Sequence, residues 1–243
     1  LIRRQRQMCI RDRCISGDNG SGTVFFSGCV LRCVFCQNRN IAESRAGREI
    51  TVERLADIFL ELQEKKANNI NLVTPTHFVP QIALALERAK EAGLCIPVVY
   101  NTGSYEKADT LKRMDGLVDI YLPDMKYVSP ALAQRYSHAP DYFETASLAV
   151  AEMVRQVGEP VFDGNTGLMK KGVIVRHLVL PGCTVDSKKV IRYLYQTYGE
   201  RIFISIMNQY TPIGEFPEFP ELNRRVSRRE YDRVVDFALE LGV

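Results

Sequence analysis

Thr23-Val24-Phe25-Phe26-Ser27-Gly28-Cys29-Val30-Leu31-Arg32-Cys33-Val34-Phe35-Cys36-Gln37-Asn38 decides how the rest of the chain is read. A short apolar, strand-like run, Thr23–Ser27, passes directly into three cysteines spaced C-x3-C-x2-C. Three thiolates on one loop can hold three corners of a [4Fe–4S] cube. No fourth cysteine stands at matching spacing, so the fourth iron is left open for another ligand. Zinc is the rival reading. It favours four ligands, usually as two C-x2-C knuckles or Cys/His pairs, and here only Cys33 and Cys36 have knuckle spacing.

Beyond this loop, apolar runs of strand length alternate with stretches of helical periodicity. Strands are expected at 23–27, 69–73, 96–100, 118–122, 173–179 and 201–206. Helices are expected at 51–66, from Thr51 as N-cap, and at 80–92, 105–114, 129–136, 141–157, 186–198 and 227–241. Residues 159–172, rich in Gly and turn formers, read as a loop or hairpin, and 211–226, with three prolines, as a long loop. Short continuous apolar strands belong to a parallel sheet buried on both faces. Most of these strands turn polar at their C-terminal ends: Ser27, Thr74/Thr76/His77, Asn101/Thr102, Asp124/Lys126, His177 and Asn208/Gln209. Polar groups gathered at strand C-termini mark the active-site face of a β/α barrel. Six units cannot close an eight-stranded ring, so the expected fold is α/β, an open, partial (β/α)6 TIM-like barrel.

Size and composition fit that fold. The chain has 243 residues, 46% hydrophobic and 25% charged, as in a soluble globular protein. No apolar run reaches the ~18 residues of a membrane span, and no secretory signal is visible, so the expected location is the cytoplasm. The net charge of +3 is misleading. Residues 1–14 hold five arginines against Asp12; without them 27 basic residues (32 less 5) face 28 acidic ones (29 less 1), a net of −1. Neither a nucleic-acid nor a membrane partner is expected. Seven cysteines, three of them clustered, argue for metal chemistry in a reducing compartment rather than a disulfide framework. Cys95 and Cys183 read as buried small hydrophobes.

The C-x3-C-x2-C motif with an aromatic before the last cysteine resembles the signature of the radical S-adenosylmethionine (SAM) superfamily. The wording FFSGCVLRCVFCQN is similar to the branch related to pyruvate formate-lyase activating enzyme, and within it the PflX-like group. The resemblance covers about residues 14–243 and implies the same (β/α)6 form in a single domain. Residues 1–13 do not match what the family carries there and are expected to be a disordered or non-native head. The implied cofactors are a [4Fe–4S] cluster on Cys29, Cys33 and Cys36, and SAM, chelated to the open iron by its amino and carboxylate groups. Phe35 is expected to shield the cluster. The implied reaction is reductive cleavage of SAM to methionine and a 5′-deoxyadenosyl radical, which takes a hydrogen atom from the substrate; no catalytic side chain beyond the two cofactors is implied.

The resemblance also distributes roles over the strand ends. Thr74-Pro75-Thr76-His77 stands where the family binds the SAM ammonium, often through Gly-Gly-Glu. This sequence departs from that form; Thr74, Thr76 and His77 still offer acceptors, or make a turn with a helix cap. Asn101 and Thr102 are placed to meet the SAM carboxylate or ribose, or to cap a helix. Asp124 and Lys126, two apart after an apolar strand, point the same way; they match an Asp-x-Lys that the branch associates with SAM, or form a structural ion pair. Of Arg176-His177, alternation turns one inward, and His177 is taken as that residue, against a satisfied core histidine. Gln209 and Tyr210 are expected to line a substrate pocket. The implied partners are a one-electron reductant, such as flavodoxin or ferredoxin, and a glycyl radical enzyme whose backbone glycine is the hydrogen donor. The alternatives are a small molecule or another peptide as substrate, or, in a different class, a non-catalytic zinc or Fe–S binding module. An electron carrier needs no lined cavity, so the converging polar strand ends speak against the last.

Overall fold

The computed structural model describes residues 2–5 and 13–243. In chain order come β1 (Ile2–Gln5), α1 (Arg13–Ser16), β2 (Ser21–Phe25), α2 (Arg39–Ala42), α3 (Val52–Glu64), β3 (Ile70–Val73), α4 (Val79–Glu91) and β4 (Val98–Thr102). Then follow α5 (Ala108–Leu111), β5 (Ile120–Pro123), α6 (Pro130–Ser137), α7 (Tyr142–Val157), β6 (Val161–Phe162), β7 (Met169–Leu178), α8 (Thr184–Tyr198), β8 (Phe203–Met207) and α9 (Arg228–Leu241).

Six strands, β2-β3-β4-β5-β7-β8, pair in parallel in that order. The ring is open, and the outer edge of β2 is taken by β1, which pairs with it antiparallel from Ile2↔Val24 to Gln5↔Ser21. Residues 2–5 thus form a strand within the head expected to be disordered or non-native; residues 1 and 6–12 of it lie outside the described residues. The expected loop or hairpin at 159–172 is a hairpin: β6 pairs antiparallel with β7, which begins at Met169 rather than Val173. The helix expected at 105–114 shrinks to α5 and a 3₁₀ turn, Lys112–Met114.

Alternation sorts the strand side chains into two layers. Val99, Ile120, Leu122 and Ile174 turn inward, and Ile15 of α1 and Met169 join them to plug the barrel interior. Leu72, Tyr100, Tyr121, Val173 and Val175 face the helices. There α3 buries Leu55, Ile58, Phe59 and Leu62, and α4 buries Val79, Ile82, Ala85 and Leu86. Each large apolar side chain contributes about 1.5–3 kcal/mol on burial. Thr51 caps α3 as its sequence predicts, its side chain accepting from the Arg54 amide at 3.2 Å. A Ser227/Glu230 capping box starts α9. This packing holds the strand C-termini on one face, where β2 delivers the cysteine loop.

Candidate cofactor site

The loop leaves β2 through Phe26, whose amide bonds the Val73 carbonyl at 3.0 Å. Gly28 then takes φ +96°, and a Cβ there would lie 2.9 Å from His77 Nε2, so the position needs glycine. His77 Nε2 donates to the Ser27 carbonyl at 2.6 Å, tying the loop to the end of β3. Cys29, Cys33 and Cys36 are half-buried free thiols. The end of α6 grips the loop from the other side: the Val34 amide donates to the Tyr136 carbonyl at 2.9 Å, and Ser137 Oγ donates to Cys33 Sγ at 3.0 Å. Phe35 is buried, its ring edge-on to Tyr210 at 6.1 Å, as a shield for the loop requires.

Burial pushes the Cys29 and Cys36 thiols above their ordinary pKa; the other thiols add to this and Lys126 opposes it. The three sulfurs are thus within electrostatic reach of one another and of one ammonium. Among the described residues, no three His, Cys, Asp or Glu side chains are gathered as a single metal ion would need. Three thiols from one loop beside one cation form a donor set that fits a [4Fe–4S] cluster with one open iron.

Lys126 joins this loop to a polar network inside the barrel mouth. Its Nζ donates to Asp124 at 2.6 Å, and Asp124 also accepts from Arg176 Nε at 3.0 Å and Nη2 at 2.7 Å. Arg176 Nη2 donates to Asn101 Oδ1 at 2.6 Å. These charged side chains are only 16–20% exposed. Burial works against the Asp124 carboxylate, but Arg176 and Lys126 prevail and hold its pKa below the usual range. Burial likewise opposes the Lys126 charge, and Asp124 and Cys33 outweigh it, so the ammonium is held. Two cations thus share one carboxylate, and Lys126 also lies within electrostatic reach of the three thiols.

The other expected site residues are distributed as follows. Thr74 adopts φ +58°, rare for a β-branched residue, while its amide bonds the Asn101 carbonyl at 2.9 Å. Thr76 Oγ1 lies 3.3 Å from Thr102 Oγ1, and Thr102 donates to the buried Glu106 at 2.5 Å. Tyr100 donates to the same carboxylate at 2.7 Å, and burial raises the Glu106 pKa despite these donors. His177 does not face the mouth. It pairs with Ile206 in register and lies on the helix side with Val179, buried, its Nδ1 donating to the Met125 carbonyl at 2.7 Å. Its strand neighbour Arg176 is the one that turns inward, so the choice between the two is corrected. The Arg176 signal was present in the same alternation; the inward carboxylate at Asp124 is what selects the guanidinium over the imidazole. Tyr210 donates to the Leu222 carbonyl at 2.7 Å and packs behind the cysteine loop. Cys95 is exposed and Cys183 half-buried, unlike the buried thiols expected.

An α/β barrel open between β2 and β8, with a three-cysteine loop at its mouth, is the architecture of this chain. The Radical SAM superfamily model matches residues 23–194, and the chain belongs to that superfamily. The superfamily uses a [4Fe–4S] cluster and SAM. An uncharacterized protein of Methanocaldococcus jannaschii is 28% identical over 232 residues, 90% of this chain and 62% of that protein. The chain therefore spans under two thirds of that relative's length. The pyruvate formate-lyase 1-activating enzyme of Escherichia coli K12 is 48% identical over 31 residues, 13% of each chain. The solved structure of native anSMEcpe with bound AdoMet superposes with TM-score 0.58 at 11% identity, over 90% of this chain and 59% of that one, a likeness of fold. No helix among the described residues is long and apolar enough to cross a membrane.

Proposed function

We propose that this chain is a radical SAM enzyme that holds the cluster on Cys29, Cys33 and Cys36, and SAM against Asn101, Asp124, Lys126 and Arg176. The bound cofactors supply one-electron cleavage of the sulfonium and hydrogen-atom abstraction. The observation that carries the reading is Lys126, which touches the Asp124–Arg176–Asn101 network and acts on all three thiols. The Lys126 ammonium and the Arg176 guanidinium are the groups that receive the carboxylate of SAM. Asp124 holds both cations in place, and Arg176 fixes the Asn101 amide with its oxygen turned to the guanidinium. Thr76, half-buried at the end of β3, offers a hydroxyl to the SAM ammonium. His77 acts one step removed, by anchoring Ser27 at the root of the cysteine loop.

A one-electron reductant of the flavodoxin or ferredoxin kind feeds the site. The substrate class favoured by the likeness to pyruvate formate-lyase activating enzyme, and to its PflX-like relatives, is a backbone glycine of a partner enzyme. Each of Cys29→Ala, Cys33→Ala and Cys36→Ala is expected to abolish 5′-deoxyadenosine formation from SAM while the far-ultraviolet circular dichroism of the barrel persists. Undiminished cleavage by any of them refutes the ligand assignment. A glycyl-radical EPR doublet on a candidate partner supports the activase reading; 5′-deoxyadenosine formed with no such doublet assigns a different substrate.

A further inference from the structure

The cysteine loop meets one hydroxyl that no part of the proposed reaction uses. Ser137 closes α6, is 2% exposed, and donates to Cys33 Sγ at 3.0 Å. On its other side the Tyr127 hydroxyl lies 3.0 Å from Ser137 Oγ, and Tyr127 is also 2% exposed. A serine hydroxyl has one hydrogen. If that hydrogen is committed to sulfur, Ser137 can only accept from Tyr127. The chain of donation is therefore directional, Tyr127 O–H to Ser137 Oγ, then Ser137 O–H to Cys33 Sγ. Cys29 and Cys36 instead take backbone donors, from Leu31 and Asn38.

The placement of this pair is built into the fold. Tyr127 follows the Asp124-x-Lys126 strand end, and Ser129 starts α6 as its N-cap, accepting from the Leu132 amide at 3.4 Å. Asp186 of α8 holds that turn, accepting from the Val128 and Ser129 amides at 3.1 and 2.9 Å. The last residue of α6 is then returned to the phenol ten positions behind it. His138 takes the left-handed conformation just after, and ends the helix there. Tyr127 packs against Tyr136 and Tyr142 in the apolar layer, and both it and Ser137 are buried from solvent.

We propose that Ser137, polarised by Tyr127, is a positioning and tuning residue that sets the reduction potential of the cluster through Cys33. This rests on the reading of Cys33 as a cluster ligand. A hydrogen bond to a ligating sulfur stabilises the more negative, reduced cluster, and the effect is strengthened in a low-dielectric setting. Two hydroxyls in series polarise one another in the same sense. The single buried side-chain donor thus makes the Cys33 corner of the site unlike the other two.

The test is a redox titration, followed by EPR, of protein reconstituted anaerobically with iron and sulfide, before any SAM is added. Ser137→Ala is expected to lower the midpoint potential by up to about 59 mV, tenfold in the one-electron reduction equilibrium. Tyr127→Phe is expected to lower it by less, and Ser137→Thr, which keeps a hydroxyl, to restore most of it. Iron content of four per chain in all variants shows that the cluster itself is kept. A cluster whose potential is the same in wild type, Ser137→Ala and Tyr127→Phe overturns this inference alone. A wild type that takes up no cluster overturns the proposed function, and this inference with it.

Discussion

Asp124→Ala is the substitution that most directly probes the network at the barrel mouth. The wild-type carboxylate receives Lys126 Nζ on one oxygen and Arg176 on the other, and all three side chains are at least four-fifths buried. Its removal leaves two cations side by side without a counter-charge. Breaking a buried pair by deleting one partner costs about 3–5 kcal/mol. Some solvent reaches each group here, so the loss is expected near the bottom of that range, about 3 kcal/mol. For a domain of this size each kcal/mol lowers Tm by about 2–4 °C, giving roughly 6–12 °C. Asp124→Asn, which keeps one acceptor oxygen but not the charge, loses less. Adding Arg176→Met to Asp124→Ala removes one of the two stranded cations and recovers part of the loss. The assay is thermal and urea unfolding of the cofactor-free protein under reducing conditions, which separates folding from cofactor binding. A loss below about 1 kcal/mol, the range of solvated surface pairs, would refute the picture of an interior charge network.

His177 makes a pH prediction. Burial, opposed by the Met125 hydrogen bond and Asp124 and reinforced by Lys126, lowers its pKa from 6.5 to about 4, and Nε2 is buried with no partner. Above 6.5 both folded and unfolded chains hold it neutral; as pH falls from 6.5 towards 4 only the unfolded chain gains the proton, so stability is lost. The loss reaches about 2 kcal/mol by pH 5, and the unfolding free energies of wild type and His177→Leu from urea titrations at pH 7 and 5 should differ in their pH response by that amount; parallel losses would contradict it. At Gly28 a methyl group meets the His77 ring and the backbone is left-handed, so Gly28→Ala should destabilise by about 1–3 kcal/mol and reduce iron uptake on reconstitution. Wild-type iron content with unchanged Tm would show that the loop does not depend on this turn. Thr74 sits at φ +58°, so Thr74→Gly should relieve about 1 kcal/mol or more of strain and raise Tm, whereas a lowered Tm would mean that its side-chain contacts dominate.

Much of the fold is legible in the sequence because parallel strands buried on both faces are nearly uninterrupted apolar runs. Val98-Val99-Tyr100 and Ile120-Tyr121-Leu122 stand out for that reason. The hairpin before β7 is harder, since Met169-Lys170-Lys171-Gly172 carries solvent-facing charges where the strand is still at the bottom of the barrel. The ring's open edge is not legible either: the antiparallel partner of β2 comes from an arginine-rich segment with no strand pattern. At the site, Cys29, Cys33, Cys36, Asp124 and Lys126 follow from spacing and position. Arg176 does not, because alternation says only that one of two neighbours turns inward, and the deciding partner, Asp124, is 52 residues away. Ser137 and Tyr127 were invisible for a similar reason. Their relation to Cys33 depends on how α6 docks, and α6 is held by Asp186 from a different β/α unit.

The central claim is that the three thiols hold a cluster whose open iron faces a SAM site. Its most direct test is anaerobic reconstitution with iron and sulfide, reduction, and EPR with and without SAM. The expected result is a [4Fe–4S]⁺ signal that changes when SAM is added. Stoichiometric zinc and no cluster, or a cluster signal indifferent to SAM, would contradict the account.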